Sequence, residues 1–441
     1  MQQYKGEDFI AQFALKGNLS EKNAGQLGYS RNDELGNNPL YGVGIINKHL
    51  SMYAKTGWTF KDAPWRSVGV VYNFKHHELD AVFGKRYFNG QEQKGYVNVM
   101  YEDILGSTMH VVKTGVSLMY NDLNQSLRDS LTYGNFQQGI NRTEIVPGVY
   151  GEYTYTGLRS TAVAGLRYDQ HNMYGGQLSP RFNWKYSLTE KQDFRFTVGR
   201  GFRVPNYITD NFALLATNVP WVVQGELSPE ISWNIGASWL YDFKLFDQKA
   251  VISADVYRTQ FENQIIADRD EDPTKIIFTN LNGTSYSNVF QIDFRFEPLK
   301  NLEIKSAYKF LDVKATMGGE LVERMMIPQH RGFVNAAYTT RSNRWEFDLT
   351  ASVFSAKRLA PVVLPDGNVS TNNRGEVVPM LSGQITHRFK KFEVYLGGEN
   401  LLDFRIQDAL VDPSNPFGEY FDATRVWAPI AGVNVYAGFR F

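Results

Sequence analysis

The feature that most constrains this chain is a two-residue alternation of apolar and polar side chains that returns from one end to the other. Phe290, Ile292, Phe294 and Phe296 are interleaved with Gln291, Asp293, Arg295 and Glu297, and Trp345, Phe347 and Leu349 with Glu346 and Asp348. Only an extended strand puts such sets on opposite faces, because its side chains alternate while those of a helix rotate by about 100° per residue. No competing helical periodicity appears. The alternation predicts eighteen strands near residues 7–19, 48–61, 66–85, 95–103, 108–121, 144–155, 160–168, 178–187, 193–200, 231–243, 249–261, 285–296, 302–315, 330–340, 345–357, 377–389, 392–401 and 430–441.

The connections carry more information than the strands, since short turns and long loops alternate strictly in the predicted order. Asp62-Ala63-Pro64-Trp65, Leu105-Gly106-Ser107, Thr156-Gly157-Leu158, residues 298–301 and Lys390-Lys391 are short; 20–47, 122–143, 201–230, 262–284, 316–329, 358–376 and 402–429 are long. A soluble sandwich has no reason to gather all short turns at one end, whereas outer-membrane barrels have short periplasmic turns and long extracellular loops. The expected fold is therefore all-β, a transmembrane antiparallel up-and-down barrel filling residues 1–441. Its charged strand faces would line a polar lumen and its apolar faces would meet lipid. Alternation alone does not separate that from a soluble sheet with its charges outward. Trp58, Trp65, Trp184, Trp239, Tyr257 and Trp345 stand near strand ends, where interfacial aromatic girdles are expected.

Composition narrows the alternatives. Phe, Tyr and Trp make up 14% of the 441 residues, favouring pleated structure over helix. Lys plus Arg and Asp plus Glu number 46 each, so there is no basic footprint for a phosphate backbone, and nucleic acid is not an expected partner. The chain has no cysteine, which excludes disulfide frameworks, thiolate metal sites and cysteine nucleophiles. No run approaches the roughly 20 apolar residues of a transmembrane helix, and MQQYKGEDFI lacks the regions of a signal peptide. Gly-x-Ser-x-Gly, His-Glu-x-x-His and Gly-x-x-x-x-Gly-Lys are absent, so no enzyme and no cofactor is expected.

Several segments carry a resemblance. The last strand, Gly432 to Phe441, ends on an aromatic and looks like the closing strand of bacterial outer-membrane barrels. Gly199-Arg200-Gly201-Phe202-Arg203-Val204-Pro205-Asn206, then Leu227-Ser228-Pro229-Glu230 leading into Trp233-Asn234-Ile235-Gly236, Gly398-Glu399-Asn400-Leu401-Leu402-Asp403, and Arg425-Val426-Trp427-Ala428-Pro429 resemble, in order, landmarks of TonB-dependent receptors, Bacteroidetes type. The resemblance covers the barrel, with no counterpart of the family's TonB box or plug. Eighteen strands fall short of the roughly 22 of a plugged transporter, so the expectation is a C-terminal portion lacking the plug and about four strands. The resemblance implies a Gram-negative outer-membrane location. It also implies active uptake of a scarce solute, such as a metal chelate, siderophore or cobalamin-like molecule. The energy would come from the TonB-ExbB-ExbD complex acting through the missing plug. A passive porin-like channel or a surface adhesion barrel is the alternative.

Candidate ligand contacts are expected in the long loops and upper lumen. Arg200 and Arg203 stand beside the lumen mouth, where an anionic chelate or the plug would meet them, with barrel carboxylates as the default partners. His171, Met173 and Tyr174 occupy an outward loop and offer groups to a metal chelate. Asp268, Asp270 and Asp272 bunch oxygen ligands in a composition that suits calcium, without the spacing of an EF-hand. His76 and His77 point to opposite faces and do not converge on one ion.

Overall fold

The computed structural model describes every residue except 1, 7, 31–38, 130–135, 371 and 408. Parts of the long loops expected over 20–47 and 122–143 thus lie outside the described residues. All eighteen expected strands are present: β2 (Phe9–Gly25), β3 (Gly42–Phe60), β4 (Ala63–Phe83), β5 (Arg86–Ile104), β6 (His110–Asp129), β7 (Phe136–Thr156), β8 (Ser160–His171), β9 (Gly175–Thr189), β10 (Gln192–Arg203), β12 (Glu230–Leu245), β13 (Gln248–Asn263), β16 (Ser285–Leu299), β17 (Leu302–Met317), β19 (His330–Thr339), β20 (Trp345–Phe354), β21 (Val378–Arg388), β22 (Glu393–Glu399) and β23 (Asn434–Arg440). Two more, β1 (Gln2–Lys5) and β18 (Glu320–Glu323), bring the main sheet to 20 strands rather than the eighteen expected. Three short strands, β11 (Trp221–Val223), β14 (Ile265–Asp268) and β15 (Ile276–Asn280), form a separate small sheet within the loops. The short elements were missed because three to five residues hold too little alternation to register.

The chain divides into two compact units. One comprises 1–183, 199–220 and 412–422, the other 184–198, 221–411 and 423–441.

In the first unit β1 to β8 each pair antiparallel with the next. Side-chain exposure is inverted relative to a soluble sheet. On β6, Val116, Leu118 and Tyr120 are exposed, Val116 at 56%, while the alternate residues Ser117 and Asn121 are buried. Beyond Tyr120 the outer face turns polar, with Asp122, Asn124, Ser126 and Arg128, and the same switch follows Phe74 on β4, where His76, Glu78 and Asp80 continue the row. The switch marks the edge of an apolar band. A strand of 21 residues such as β4 is about 70 Å long, or about 50 Å tall at a tilt near 40°. That exceeds the hydrocarbon core of about 30 Å, so the polar ends project as pleated wall.

This projection corrects the expected connections. The end opposite the short turns also holds two tight links, at residues 84–85 and 172–174, because the flanking strands run on where loop was expected. Gly84 takes a φ of +58° in the first of them, a conformation glycine adopts at no steric cost, and a Cβ there would meet the Tyr41 ring.

In the second unit β12, β13, β16, β17 and β19 to β23 form consecutive antiparallel pairs. The inversion of exposure recurs. On β20 Trp345, Phe347, Leu349 and Val353 are exposed, Leu349 at 50%, whereas Glu346, Asp348, Thr350 and Ser352 are partly covered. Ion pairs join neighbouring charged residues on the strands, as in Lys305 with Glu303 at 2.6 Å and Arg440 with Glu393 at 2.7 Å. Phe246 and Asp247, with φ of 50° and 60°, make the two-residue turn from β12 to β13. Positive φ at both positions matches the right-handed twist of the strands they join.

Glycines on the strands are covered by tyrosines from the neighbouring strand. Gly236 lies opposite Tyr257, Gly397 opposite Tyr436, Gly438 opposite Tyr395 and, in the first unit, Gly115 opposite Tyr150. A Cβ at any of the four would fall inside the partner ring, an arrangement that fills the space above a bare backbone. Tyr257 is therefore not a girdle residue: its parity opposes that of the exposed Val256, and it packs over Gly236. Gly236→Val is expected to expel the Tyr257 ring and destabilise the hairpin by about 1–3 kcal/mol, read as a lower urea midpoint. An unchanged midpoint would refute the packing role. Trp58, Trp65, Trp184 and Trp345 are exposed as expected of girdle residues.

Candidate functional site

At the loop end of the first unit, residues 204–220 fold back over the inner faces of the projecting strands. The segment carries a short helix, α1 (Tyr207–Asp210), and a 3-10 turn, Phe212–Ala216. Leu123 and Leu127 of β6 are buried there, as are Ile208 and Leu215 of the loop, and Phe212 packs edge-on against Phe83 and Phe88 at ring distances of 5.3 and 5.4 Å.

Arg86 fixes this arrangement. It opens β5, is 2% exposed, and donates Nε–H to Asp129 Oδ2 at 2.7 Å. Its remaining guanidinium N–H groups donate to the carbonyls of Thr217 and, at 2.8 Å, Val219. One cation thus satisfies a strand carboxylate and two loop carbonyls, which a planar fork of donors suits. Residues 412–422 are tied to the same loop by Asn218 Nδ2, which donates to the carbonyls of Pro416 at 3.1 Å and Gly418 at 2.7 Å. Tyr41 packs against Phe421 with ring centroids 4.5 Å apart and the planes tilted by 55°.

Beneath Pro205 and Tyr207 lies a polar patch on the inner faces of β6 to β8. Asn121, Gln125, Glu144 and His171 are all buried. Arg142 pairs with Glu144 at 2.6 Å and donates to the Pro205 carbonyl at 3.3 Å, and Asn121 Nδ2 donates to Glu144 Oε2 at 3.1 Å. Tyr207 donates to Gln138 Oε1 at 3.0 Å, and burial pushes its phenol up to about 12, so it keeps its proton at neutral pH. Asn121 Oδ1, Gln125 Oε1 and His171 Nε2 have no hydrogen-bonding partner among the described residues. A buried polar atom left so costs about 1–3 kcal/mol, and three such atoms lie on β6 and β8 in this patch.

His171 was expected in an outward loop with Met173 and Tyr174. The connection is a three-residue turn, and His171 ends β8 as a buried side chain, 1% exposed. Its Nδ1 accepts the Met173 N–H at 3.1 Å, and its ring meets Tyr174 at 5.0 Å. Met173 points outward, exposed. The histidine therefore belongs with Glu144 and Asn121 rather than with a surface loop.

Arg200 and Arg203 lie on opposite faces of β10. Arg200 shares the parity of Phe194, Phe196 and Val198, and its Nη1 donates to the Leu178 carbonyl at 2.7 Å. Arg203 takes the other face and pairs with Asp210 at 3.1 Å, and the same carboxylate accepts the Asn206 N–H at 3.1 Å. The Gly199–Asn206 landmark thus includes a carboxylate clasp on the first turn of α1.

In the second unit Asp268, Asp270 and Asp272 have separate partners. Asp268 accepts backbone N–H groups from Asp270 at 2.7 Å, Glu271 at 3.1 Å and Gly318 at 2.6 Å. Asp270 pairs with Arg358. The Thr274 hydroxyl, foremost, holds the Asp272 carboxyl below the usual carboxylate range, and Lys275 Nζ lies 3.1 Å away. Among the described residues no group of three or more His, Asp or Glu side chains is arranged to hold a metal ion. The Gly398–Asp403 landmark closes the neck of the loop from 400 to 433, because Asn400 Nδ2 donates to the carbonyls of Phe404 at 2.9 Å and Ala431 at 3.1 Å. Trp427 packs with Leu359, Val378 and Ile406 over that neck.

Neither the Arg86 anchor nor the Asn121–Glu144–His171 patch was read from the sequence. The available signal was the polarity switch along β6, where alternate residues stay mixed after the outer face becomes polar.

The fold recurs in solved structures. The siderophore receptor PirA from Pseudomonas aeruginosa aligns with 92% of this chain and 66% of its own length at 13% identity and a TM-score of 0.56. The outer membrane transporter YddB from Escherichia coli aligns with 99% of this chain and 66% of its own, at 12% identity and 0.63. The ferric citrate transporter FecA aligns with 99% and 68%, at 13% identity and 0.67. This chain thus spans about two thirds of the length of each. No curated protein matches it. The model described as TonB dependent receptor-like, beta-barrel matches residues 3–401, the span holding the infolded loop, the Arg86 anchor and the Asn400 neck, and the chain belongs to that family.

Proposed function

We propose that this chain is the barrel of an outer-membrane receptor of a Gram-negative bacterium that takes up a scarce solute, a metal chelate, siderophore or cobalamin-like molecule, with energy supplied through the TonB complex and a plug. The observation that carries the reading is the inverted exposure of the strands: apolar residues such as Val116, Leu118, Phe347 and Leu349 are exposed on one face while the alternate face is polar and partly covered. The named neighbours include a siderophore receptor and a ferric citrate transporter, which supports the solute class. In this reading the solute lodges against the infolded loop. Asn121, Gln125 and His171, covered by that loop, supply contacts where it lifts, and Arg203 with Met173 and Tyr174 flanks the approach; Arg200, on the outer face, does not reach the solute. The carboxylates Asp268, Asp270 and Asp272 would meet calcium only after releasing their present partners.

Deleting the gene is expected to abolish accumulation of one radiolabelled metal chelate by whole cells, and in wild-type cells a protonophore is expected to remove the same uptake. Uptake that persists with the protonophore, saturating only at high concentration, would overturn the energised reading in favour of a passive channel.

A further inference from the structure

The short-turn end of the second unit carries a row of cations without acidic partners. Lys244 and Lys249 flank the turn from β12 to β13, Lys300 stands in the turn from β16 to β17, Arg341 in that from β19 to β20, and Lys390 and Lys391 in that from β21 to β22. All six are exposed, and no ion pair engages them among the described residues. Lys191 and Arg344 extend the row, against Glu190 and Asp247 as the acids of the same turns. On the adjoining strands of the same unit other cations are matched: Arg295 and Lys305 share Glu303, and Arg388 reaches Glu393 at 3.3 Å.

Exposed apolar side chains stand beside the cations in the same turns. Phe246 is 86% exposed between Lys244 and Lys249, Leu299 adjoins Lys300, and Phe389 and Phe392 bracket Lys390 and Lys391, their rings stacked at 4.5 Å. Trp345 begins the strand just after Arg344, also exposed. Alternating aromatic and cationic groups at the end of an apolar band is the pattern of a membrane interface: rings lie at headgroup level and ammonium and guanidinium groups reach the phosphates.

From this juxtaposition we propose that the short-turn rim of the second unit binds anionic phospholipids, through their phosphodiester headgroups, in the leaflet on that side of the membrane. The proposal rests on the membrane-barrel reading and goes beyond it. Arg295, Lys305 and Arg388 on the strands already have carboxylate partners, whereas negative charge for the rim cations has to come from outside the protein. A row spread over four consecutive hairpins suits several lipids side by side better than one compact ligand.

The test is lipid selectivity of the full chain folded into phosphatidylcholine vesicles, probed with traces of spin-labelled phosphatidylglycerol or spin-labelled phosphatidylcholine. The expected result is preferential immobilisation of phosphatidylglycerol by about fivefold or more at low salt, weakening as salt is added. The combined variant K244Q/K249Q/K300Q/R341Q/K390Q/K391Q should fold equally well and bind both probes alike, while the matching variant with each lysine changed to arginine should keep the preference. Equal binding of both probes by the wild type, as expected if the rim serves an acidic periplasmic protein, overturns the proposal. So does full selectivity in the glutamine variant. Failure of the wild type to insert into phosphatidylcholine vesicles would instead overturn the barrel reading, so the two failures are distinguishable.

Discussion

Arg86→Met is expected to release residues 207–219 from the inner wall, raising amide exchange in that segment by about a hundredfold or more while the strand amides stay protected. Arg86 and Asp129 are both buried, and removing one member of a buried pair leaves the other as an uncompensated charge, at a cost of about 3–5 kcal/mol. The Thr217 and Val219 carbonyls lose their donor in the same step. Asn218 and Thr217 still tie the loop to residues 416–421, and Tyr207 to Gln138, but Arg86 supplies its charged tie to β5 and β6, and the packing against Phe83, Phe88, Leu123 and Leu127 is apolar. The double variant Arg86→Met/Asp129→Leu should recover much of the loss, because replacing both partners removes the stranded charge. Hydrogen exchange of the detergent-solubilised protein decides it: unchanged protection of 207–219 in the single variant would show that apolar packing alone fixes the loop.

The second large effect is a reversal of the usual rule about surface mutations. Leu349→Arg places a cation on an already exposed position, and in a soluble sheet it would be nearly neutral. On the outer face of a membrane barrel it should cost about 2–4 kcal/mol if near the midplane. The neighbouring Thr350→Arg, one residue along on the covered, ion-paired face, should cost less, with Asp348 nearby as a counter-charge. Denaturant titration of each variant folded into lipid vesicles gives both numbers. A Leu349→Arg protein as stable as the parent, or a Thr350→Arg protein much weaker than Leu349→Arg, would contradict the assignment of faces.

That assignment shows how far the sequence could be read. The alternation located every long strand, because strands that cross a hydrocarbon layer must keep one face apolar for the whole crossing. It failed where that constraint ends. Past Tyr120 on β6 and Phe74 on β4 the outer face can be polar without penalty, so the pattern fades although the backbone stays pleated. Loop was therefore expected where wall continues, and His171 was placed outside when the shortness of its turn buries it. The Arg86 anchor was illegible for another reason: its partners lie 43, 131 and 133 residues away, and no local pattern encodes pairing over such separations. The landmarks around Arg203 and Asn400 could be recognised as motifs, but their roles as a clasp on α1 and a neck for the last loop follow only from geometry.

The tyrosine rings seated over glycines bear on how such a sheet reaches its final pairing. Each ring needs a bare backbone directly opposite, and in the four cases that backbone lies on the adjacent strand. A slip of one residue would turn every side chain of the strand to the other face and set the Tyr257 ring against Ile235 or Ala237, each bearing a Cβ. Hairpins zipped in the wrong frame would therefore stall before their apolar faces were aligned for insertion. In that sense the Gly236–Tyr257 pair acts as a proofreading step, rejecting misaligned hairpins while they can still come apart.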